Sequence, residues 1–222
     1  MNKERIQALE EQLHRAKADR LGSKAKIDLL NEIAWEIGFN DMERATVFAE
    51  QAHALSQKVS YSKGLAQSTL SLSYRDYFRA NYQDAVAKVQ LAKKLFTELG
   101  DRIGIANCLN GYGFAYWGLG DYEKALQHML AGLKIFRETE QVEREAWSLT
   151  SIGGVYENLN DYDHALQYHQ ASLKIFQKLD HKLGEGRALS GIGTVYQGQG
   201  NDAEALKYHY RCLQIFREIG SE

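Results

Sequence analysis

Apolar residues in the second half of the chain fall in two alternating kinds of stretch. Ile103 to Gly118 carries Ile105, Leu109, Tyr112, Phe114, Tyr116 and Trp117. These are too many positions for one stripe, the pattern of a helix packed on two sides. Gly120-Asp121 interrupts it with a flexible residue and a capping acid, and Tyr122 to Glu138 then runs as a second helix through Ala125, Leu126, Met129, Leu133 and Phe136. The pattern predicts a helical hairpin, an A helix followed by a B helix.

The hairpin recurs. Asp121-Tyr122 and Ala125-Leu126 return 40 residues later as Asp161-Tyr162 and Ala165-Leu166, and again as Asn201-Asp202 and Ala205-Leu206. Each block closes on a Leu-Lys/Gln-Ile-Phe phrase ending at Phe136, Phe176 and Phe216. Such a period belongs to a solenoid, in which each unit covers the apolar face of its neighbour. Backward by the same step, Ala85 and Ala45 keep the B-helix alanine and Asn81-Tyr82 matches Asp121-Tyr122. The A helices drift there to Ser73 and Asp76, then to Ile33 and Glu36, while Gly64 and Gly104 read as matching turns between repeats. The expectation is one continuous all-α domain over 23–222, with five repeats near 23–60, 61–100, 101–140, 141–180 and 181–220.

Ahead of it, residues 1–22 read as a separate amphipathic helix. Ile6, Leu9, Leu13 and Ala16 share one face of it. Three roles suit such a helix: a cap on the first repeat, a coiled-coil dimer stub, or a plug for a groove.

Gly113, Tyr116 and Ala125 match the tetratricopeptide spacing of Leu-Gly-x-x-Tyr with a downstream alanine, and the triplet returns at Gly153, Tyr156, Ala165 and at Gly193, Tyr196, Ala205. On these residues the chain resembles the tetratricopeptide repeat family in its 40-residue variety. It departs from the shorter form in lacking the terminal proline and in placing His169 and His209 where that form often has an aromatic ring. The resemblance implies a right-handed superhelix, an α-solenoid of helical hairpins. The long repeat is similar to those of LGN/Pins spindle-orientation adaptors and to arrays ahead of bacterial diguanylate cyclase, adenylate cyclase and histidine kinase domains. Ile27 to Trp35, followed by Asp41-Met-Glu-Arg-Ala45, resembles the opening of the bacterial arrays.

The resemblance also implies a concave groove lined by A helices, at positions one, four, eight and eleven residues after the first small A-helix residue. From Ala106 these are Asn107, Asn110, Phe114 and Trp117. The same offsets give Gln67, Leu70, Tyr74 and Tyr77 in the preceding repeat, Trp147, Thr150, Gly154 and Glu157 in the next, and Arg187, Ser190, Thr194 and Gln197 in the last. Tyr74, Tyr77, Phe114, Trp117 and Trp147 are the candidate anchors. Asn107 and Asn110 suit a peptide backbone, Arg187 an acidic side chain, and Glu157 completes the set. The competing reading is that several of these rings are core. No ring of Lys, Arg and Asn of the kind that clamps a terminal carboxylate is present, so an amphipathic helix or an extended peptide is the expected partner.

Composition narrows the function classes. The 222 residues contain no proline, in keeping with helix nearly end to end, and the formal net charge of −2 gives no pull toward nucleic acid. Cys108 and Cys212 stand among apolar positions, as buried thiols do, and neither a membrane span nor a secretory leader is apparent. Gly191-Ile-Gly193 with Gly198 and Gly200 lacks the third glycine of a dinucleotide fingerprint, since Tyr196 stands there. His128, His164, His169 and His209 follow the repeat, not metal-ligand spacing, and Asp121, Asp161 and Asp202 suit helix starts. No cofactor or catalytic constellation is expected, and the chain reads as a cytoplasmic binding scaffold, not an enzyme.

Within that class the expectation is the regulatory segment of a bacterial signalling protein such as a diguanylate cyclase. The alternatives are a peptide-pheromone receptor and a self-associating dimerisation module. The fifth B helix is followed by no polar capping helix, which suggests either a longer protein or pairing with another copy.

Overall fold

The computed structural model describes residues 3–18, 22–38 and 41–220. Among these, eleven helices and no strand are found: α1 (Lys3–Ala18), α2 (Ser23–Ile37), α3 (Met42–Lys58), α4 (Ser62–Phe78), α5 (Tyr82–Glu98), α6 (Arg102–Gly118), α7 (Tyr122–Glu138), α8 (Val142–Asn158), α9 (Tyr162–Lys178), α10 (Lys182–Gly198) and α11 (Asp202–Glu218).

The period is set by one turn used again and again. From α3 onward every helix has 17 residues and every connection three, so the A-to-B and B-to-A turns share a design. The middle residue of each connection is left-handed: Ser60, Ala80, Gly100, Gly120, Glu140, Asn160, Asp180 and Gly200 all have positive φ. The residue after it donates its N–H back into the last helical turn, as from Asn81 to the Asp76 carbonyl at 2.8 Å and from His181 to the Phe176 carbonyl at 2.9 Å. Five of these left-handed positions, counting Ser60, lack glycine. Ala80→Gly and Glu140→Gly are therefore each expected to raise stability by about 0.5–1 kcal/mol in urea unfolding, and Gly120→Ala to lower it by about 1. Unchanged midpoints would contradict this.

The residue after the left-handed one caps several of the helix starts, whereas Tyr61, Asn81 and Gln141 make no side-chain cap bond. Asp101, Asp121 and Asp161 accept from backbone N–H groups three residues on, at 2.8, 3.1 and 3.2 Å. In the last copy the same position is Asn201, which accepts from Glu204 at 3.3 Å, so Asp202, expected at a helix start, lies in the first turn. Gly64 and Gly104 are not in turns. They stand in the first turn of α4 and α6, where an added Cβ would lie 2.4 Å from the Ile27 side chain and 2.2 Å from the Phe96 ring.

The sequence reads as one array, yet contacts divide the chain into two compact units, residues 1–119 and 120–222. Solenoid units touch only their neighbours, so a border can fall at any turn. In the first unit α1 packs on α2, and Ile6, Leu9 and Leu13 share a buried cluster with Ile27, Leu30, Ile33 and Ile37. Arg5 pairs with Glu32 and Glu36, each at 3.1 Å, and Arg44 with Glu10. The side chain of Ala16 and residues 1, 2 and 19–21 lie outside the described residues. A second cluster joins Leu70, Tyr74, Val89, Phe96 and Cys108.

In the second unit Met129, Phe136, Leu149, Ile152, Phe176, Leu189 and Ile192 are fully buried. The small A-helix residues there admit side chains, not a neighbouring backbone. A Cβ at Gly153 would lie 2.7 Å from the His169 ring, one at Gly191 2.5 Å from the same ring, and one at Gly193 2.6 Å from that of His209. His169 thus acts as a flat core ring, and His209, half-buried, packs in the same way. Ser172 ties α9 to α8 by donating to the Ala146 carbonyl at 2.8 Å.

Both cysteines are free and buried. Burial pushes the Cys108 thiol up to about 12 and also raises that of Cys212. The thiolate is the reactive form, so at pH 8 iodoacetamide is expected to modify native Cys212, 7% exposed, before Cys108, 0% exposed. The reverse order by mass spectrometry would contradict the burial.

Candidate aromatic binding face

Within the first unit the A helices lie side by side, α2 against α4 and α4 against α6. A residue on one therefore meets its counterpart on the next. The result is a run of rings. Trp35 on α2 meets Tyr74 on α4 edge to face at 6.3 Å, and Tyr74 meets Phe114 on α6 at 5.8 Å. Tyr77 reaches Phe114 at 5.6 Å, Phe78 at 5.3 Å and Tyr82 at 5.8 Å, while Phe114 stacks on Trp117 at 6.2 Å. Edge and offset contacts of this kind add about 0.5–1.5 kcal/mol per pair beyond area burial, so the rings hold one another in place.

The run has a base and an open side. Tyr74 is 7% exposed and belongs to the core, and burial carries its hydroxyl well above the ordinary phenol range. The expectation that it is an exposed anchor is corrected: sandwiched between Trp35 and Phe114, it supports the face without offering a surface. Tyr77, Phe114 and Trp117 are half-buried, and burial, then Tyr82, raises the Tyr77 hydroxyl. Trp35 is 40% and Phe78 51% exposed, unusual for rings of that size. Asn107 and Asn110 on α6 are half-buried.

Trp35 and Phe78 were not among the sequence candidates. The offsets that give Phe114 and Trp117 fall, in α2, on Ile27, Leu30, Ala34 and Ile37, all buried. The exposed ring Trp35 is one residue out of line with them. No spacing rule reaches it; its exposure alone identifies it.

The second unit brings its three candidates no comparable face. Trp147 is half-buried with its ring edge on Phe176 at 4.8 Å and on His181 at 5.6 Å, where it props the turn from α9 to α10. Glu157 is engaged: its Oε1 lies 2.5 Å from His169 Nε2, the imidazole N–H donating to the carboxylate. Arg187 on α10 is exposed. Among the described residues no three acidic, His or Cys side chains converge as metal ligands, and no helix is long and apolar enough to cross a membrane.

Antiparallel 17-residue helices repeated through a shared turn, with a ring-lined A-helix face, define an α-helical repeat protein of the scaffold type. The tetratricopeptide repeat family model matches residues 76–138 and 144–218, more than half of the chain, and the chain belongs to that family. Among curated proteins no significant sequence match is found. Solved structures share the fold. BtubC (BKLC) from P. vanneervenii is 20% identical with a TM-score of 0.67, over 100% of this chain and 94% of its own. A Rap protein complexed with competence and sporulation factor is 17% identical with a TM-score of 0.77, over 96% of this chain and 64% of its own. Aspartyl phosphate phosphatase F from Bacillus subtilis is 16% identical with a TM-score of 0.70, over 92% of this chain and 55% of its own.

Proposed function

We propose that the chain is a peptide-binding tetratricopeptide scaffold that works through the aromatic face of α2, α4 and α6. The observation that carries this is the continuous run of rings on three successive A helices, closed at its base by Tyr74 and open at Trp35 and Phe78. Preorganised rings cost little entropy on binding, and aromatic anchors dominate recognition energy. The occupant is an amphipathic helix or an extended apolar peptide, with Asn107 and Asn110 near enough in sequence to Phe114 to serve its polar groups. In the second unit Arg187 is the candidate partner for an acidic side chain.

The wider role proposed is the regulatory segment of a cytoplasmic bacterial signalling protein such as a diguanylate cyclase, supported by the resemblance at Ile27–Trp35 and Asp41–Ala45. A receptor that changes shape on binding a signalling peptide is the second reading. The likeness in fold to a Rap protein complexed with competence and sporulation factor favours it.

The test is a random-peptide display selection on the chain, followed by titration of the selected peptides. Trp117→Ala and Phe114→Ala are expected to weaken them by about 1 kcal/mol or more each while far-ultraviolet circular dichroism stays unchanged. Peptides that bind wild type and both variants equally would overturn the assignment. Loss of helical signal in the variants would show the rings to be core.

A further inference from the structure

The turns that lead from B helices into A helices close their helix starts in different ways. Tyr61 and Gln141 make no side-chain cap bond, whereas Asp101 accepts from the Gly104 N–H at 2.8 Å and His181 accepts from the Gly184 N–H at 3.0 Å. Among the described residues the side-chain caps are Asp41, Asp101, Asp121, Asp161, Asn201 and His181. Histidine is the side chain in that set whose charge ordinarily changes between pH 5 and 8.

The cap bond dictates where the imidazole carries its proton. The accepting atom is Nδ1, so Nδ1 is bare and the proton sits on Nε2, which lies 3.5 Å from Glu143 Oε1 on α8. The ring is held in place by Trp147 at 5.6 Å and by Phe176 at 5.3 Å. A second proton can only go to Nδ1. The imidazolium has two donors and no acceptor, so it cannot cap. The Gly184 N–H then loses its partner, and a positive charge arrives at a helix start that is already positive.

The surrounding charges come from every neighbouring helix. α8 contributes Glu143, 60% exposed, and α9 contributes Lys178 in its last turn. The turn itself carries Asp180, 87% exposed, and Lys182 pairs with both Asp180 and Glu185 at 3.4 Å. Glu143 and Asp180 favour the imidazolium, but across water, where such pairs contribute little. The cap is a direct bond to the backbone, and it decides the sign. An unfolded chain takes up a proton that the capped chain excludes, so the stabilisation is present at pH 8 and lost as the pH falls toward 5.

We propose that the connection from α9 to α10 is a pH-sensitive joint, closed by neutral His181 and opened by its protonation. What opens is the first turn of α10, the segment that sets Gly184 against the buried Phe176 ring. The joint is carried by different residues from the aromatic face and stands independently of it.

The test unfolds the full chain in urea between pH 8 and 5, wild type against His181→Asp, which puts the Asp101 arrangement in place of the imidazole. The other histidines are common to both proteins and cancel. The unfolding constant of wild type relative to that of His181→Asp is expected to rise about fivefold as the pH falls across this range. Glu143→Gln, which removes the acid facing Nε2, should enlarge the rise. In wild type, nitrogen-15 spectra should show Nδ1 of His181 bare at pH 8. Exchange of the Gly184 N–H, corrected for its intrinsic rate, should quicken toward pH 5, while that of the Gly104 N–H should not. A ratio that stays level or falls, a proton on Nδ1 at pH 8, or equal responses at Gly184 and Gly104 would overturn the proposal.

Discussion

Gly184→Ala is expected to destabilise the protein by about 2–3 kcal/mol, although alanine is the better helix former by about 1 kcal/mol. The clash decides the sign. A Cβ at Gly184 would lie 2.3 to 2.5 Å from three atoms of the Phe176 ring. That ring is 0% exposed and fixed by the edge of Trp147 at 4.8 Å and by His181 at 5.3 Å. Phe176→Ala alone removes one of the largest buried side chains and is expected to cost about 4 kcal/mol through the cavity it leaves.

The two changes are not additive. With Phe176 gone, the methyl of Gly184→Ala enters the vacated space and brings its helix preference with it, so the second change should be neutral or mildly stabilising. A double-mutant cycle by urea unfolding should therefore return a coupling of about 2–3 kcal/mol. Coupling below about 0.5 kcal/mol would mean that the glycine is there for the turn and not for the ring. Gly104 against Phe96 repeats the geometry in the first unit, with contacts of 2.2 to 2.6 Å, and the same cycle applies.

This pair shows where sequence reading succeeded and where it stopped. Helix limits were legible because the turns punctuate them: the stripe from Tyr122 to Glu138 matches α7 at both ends, and the A helix expected from Ile103 begins one residue earlier, at Arg102. The role of individual glycines was not legible. Gly64 and Gly104 look like turn residues in a linear reading, because nothing in the sequence says that a phenylalanine eight residues before Gly104 folds back onto it. His169 and His209 recur at the repeat spacing, as packing positions do, yet the linear sequence does not show that their rings lie over Gly153, Gly191 and Gly193.

The binding face was legible in part. Offsets along A helices found Tyr77, Phe114 and Trp117, which do converge, and Tyr74, which converges but is buried. They also picked Trp147 and Glu157, whose local partners, Phe176 and His169, hold them. An offset states which side of a helix a residue occupies; it is blind to a neighbouring ring or imidazole that claims the side chain first. Trp35 and Phe78 escaped because exposure is a property of the assembled unit.

Asp76→Ala is expected to cost about 2–3 kcal/mol, the largest effect of any single charge in the first unit. Asp76 is 3% exposed at the end of α4 and is held by two nitrogens of Arg75 on one oxygen, at 2.9 and 2.8 Å, and by Lys88 of α5 on the other. Arg75 in turn reaches Glu50 of α3 at 2.9 Å, so four charges link three helices. Removing the carboxylate leaves two cations facing a site made for an anion. The cost stays at the lower end of what a broken buried pair gives, because the Lys88 side chain is 32% exposed and water reaches it. Replacing the charges together, Asp76→Leu with Lys88→Met, should cost less than Asp76→Ala, since desolvation of both groups is then avoided. Raising NaCl from 0.05 to 1 M should leave the Asp76→Ala deficit unchanged, in contrast to an exposed pair such as Lys94 with Glu98 at 4.0 Å. A deficit under about 0.5 kcal/mol, or one that salt erases, would show that Asp76 is solvated in the folded chain. Because Asp76 lies between Tyr74 and Tyr77 on α4, the same substitution should also loosen the base of the aromatic face and weaken peptides selected on it.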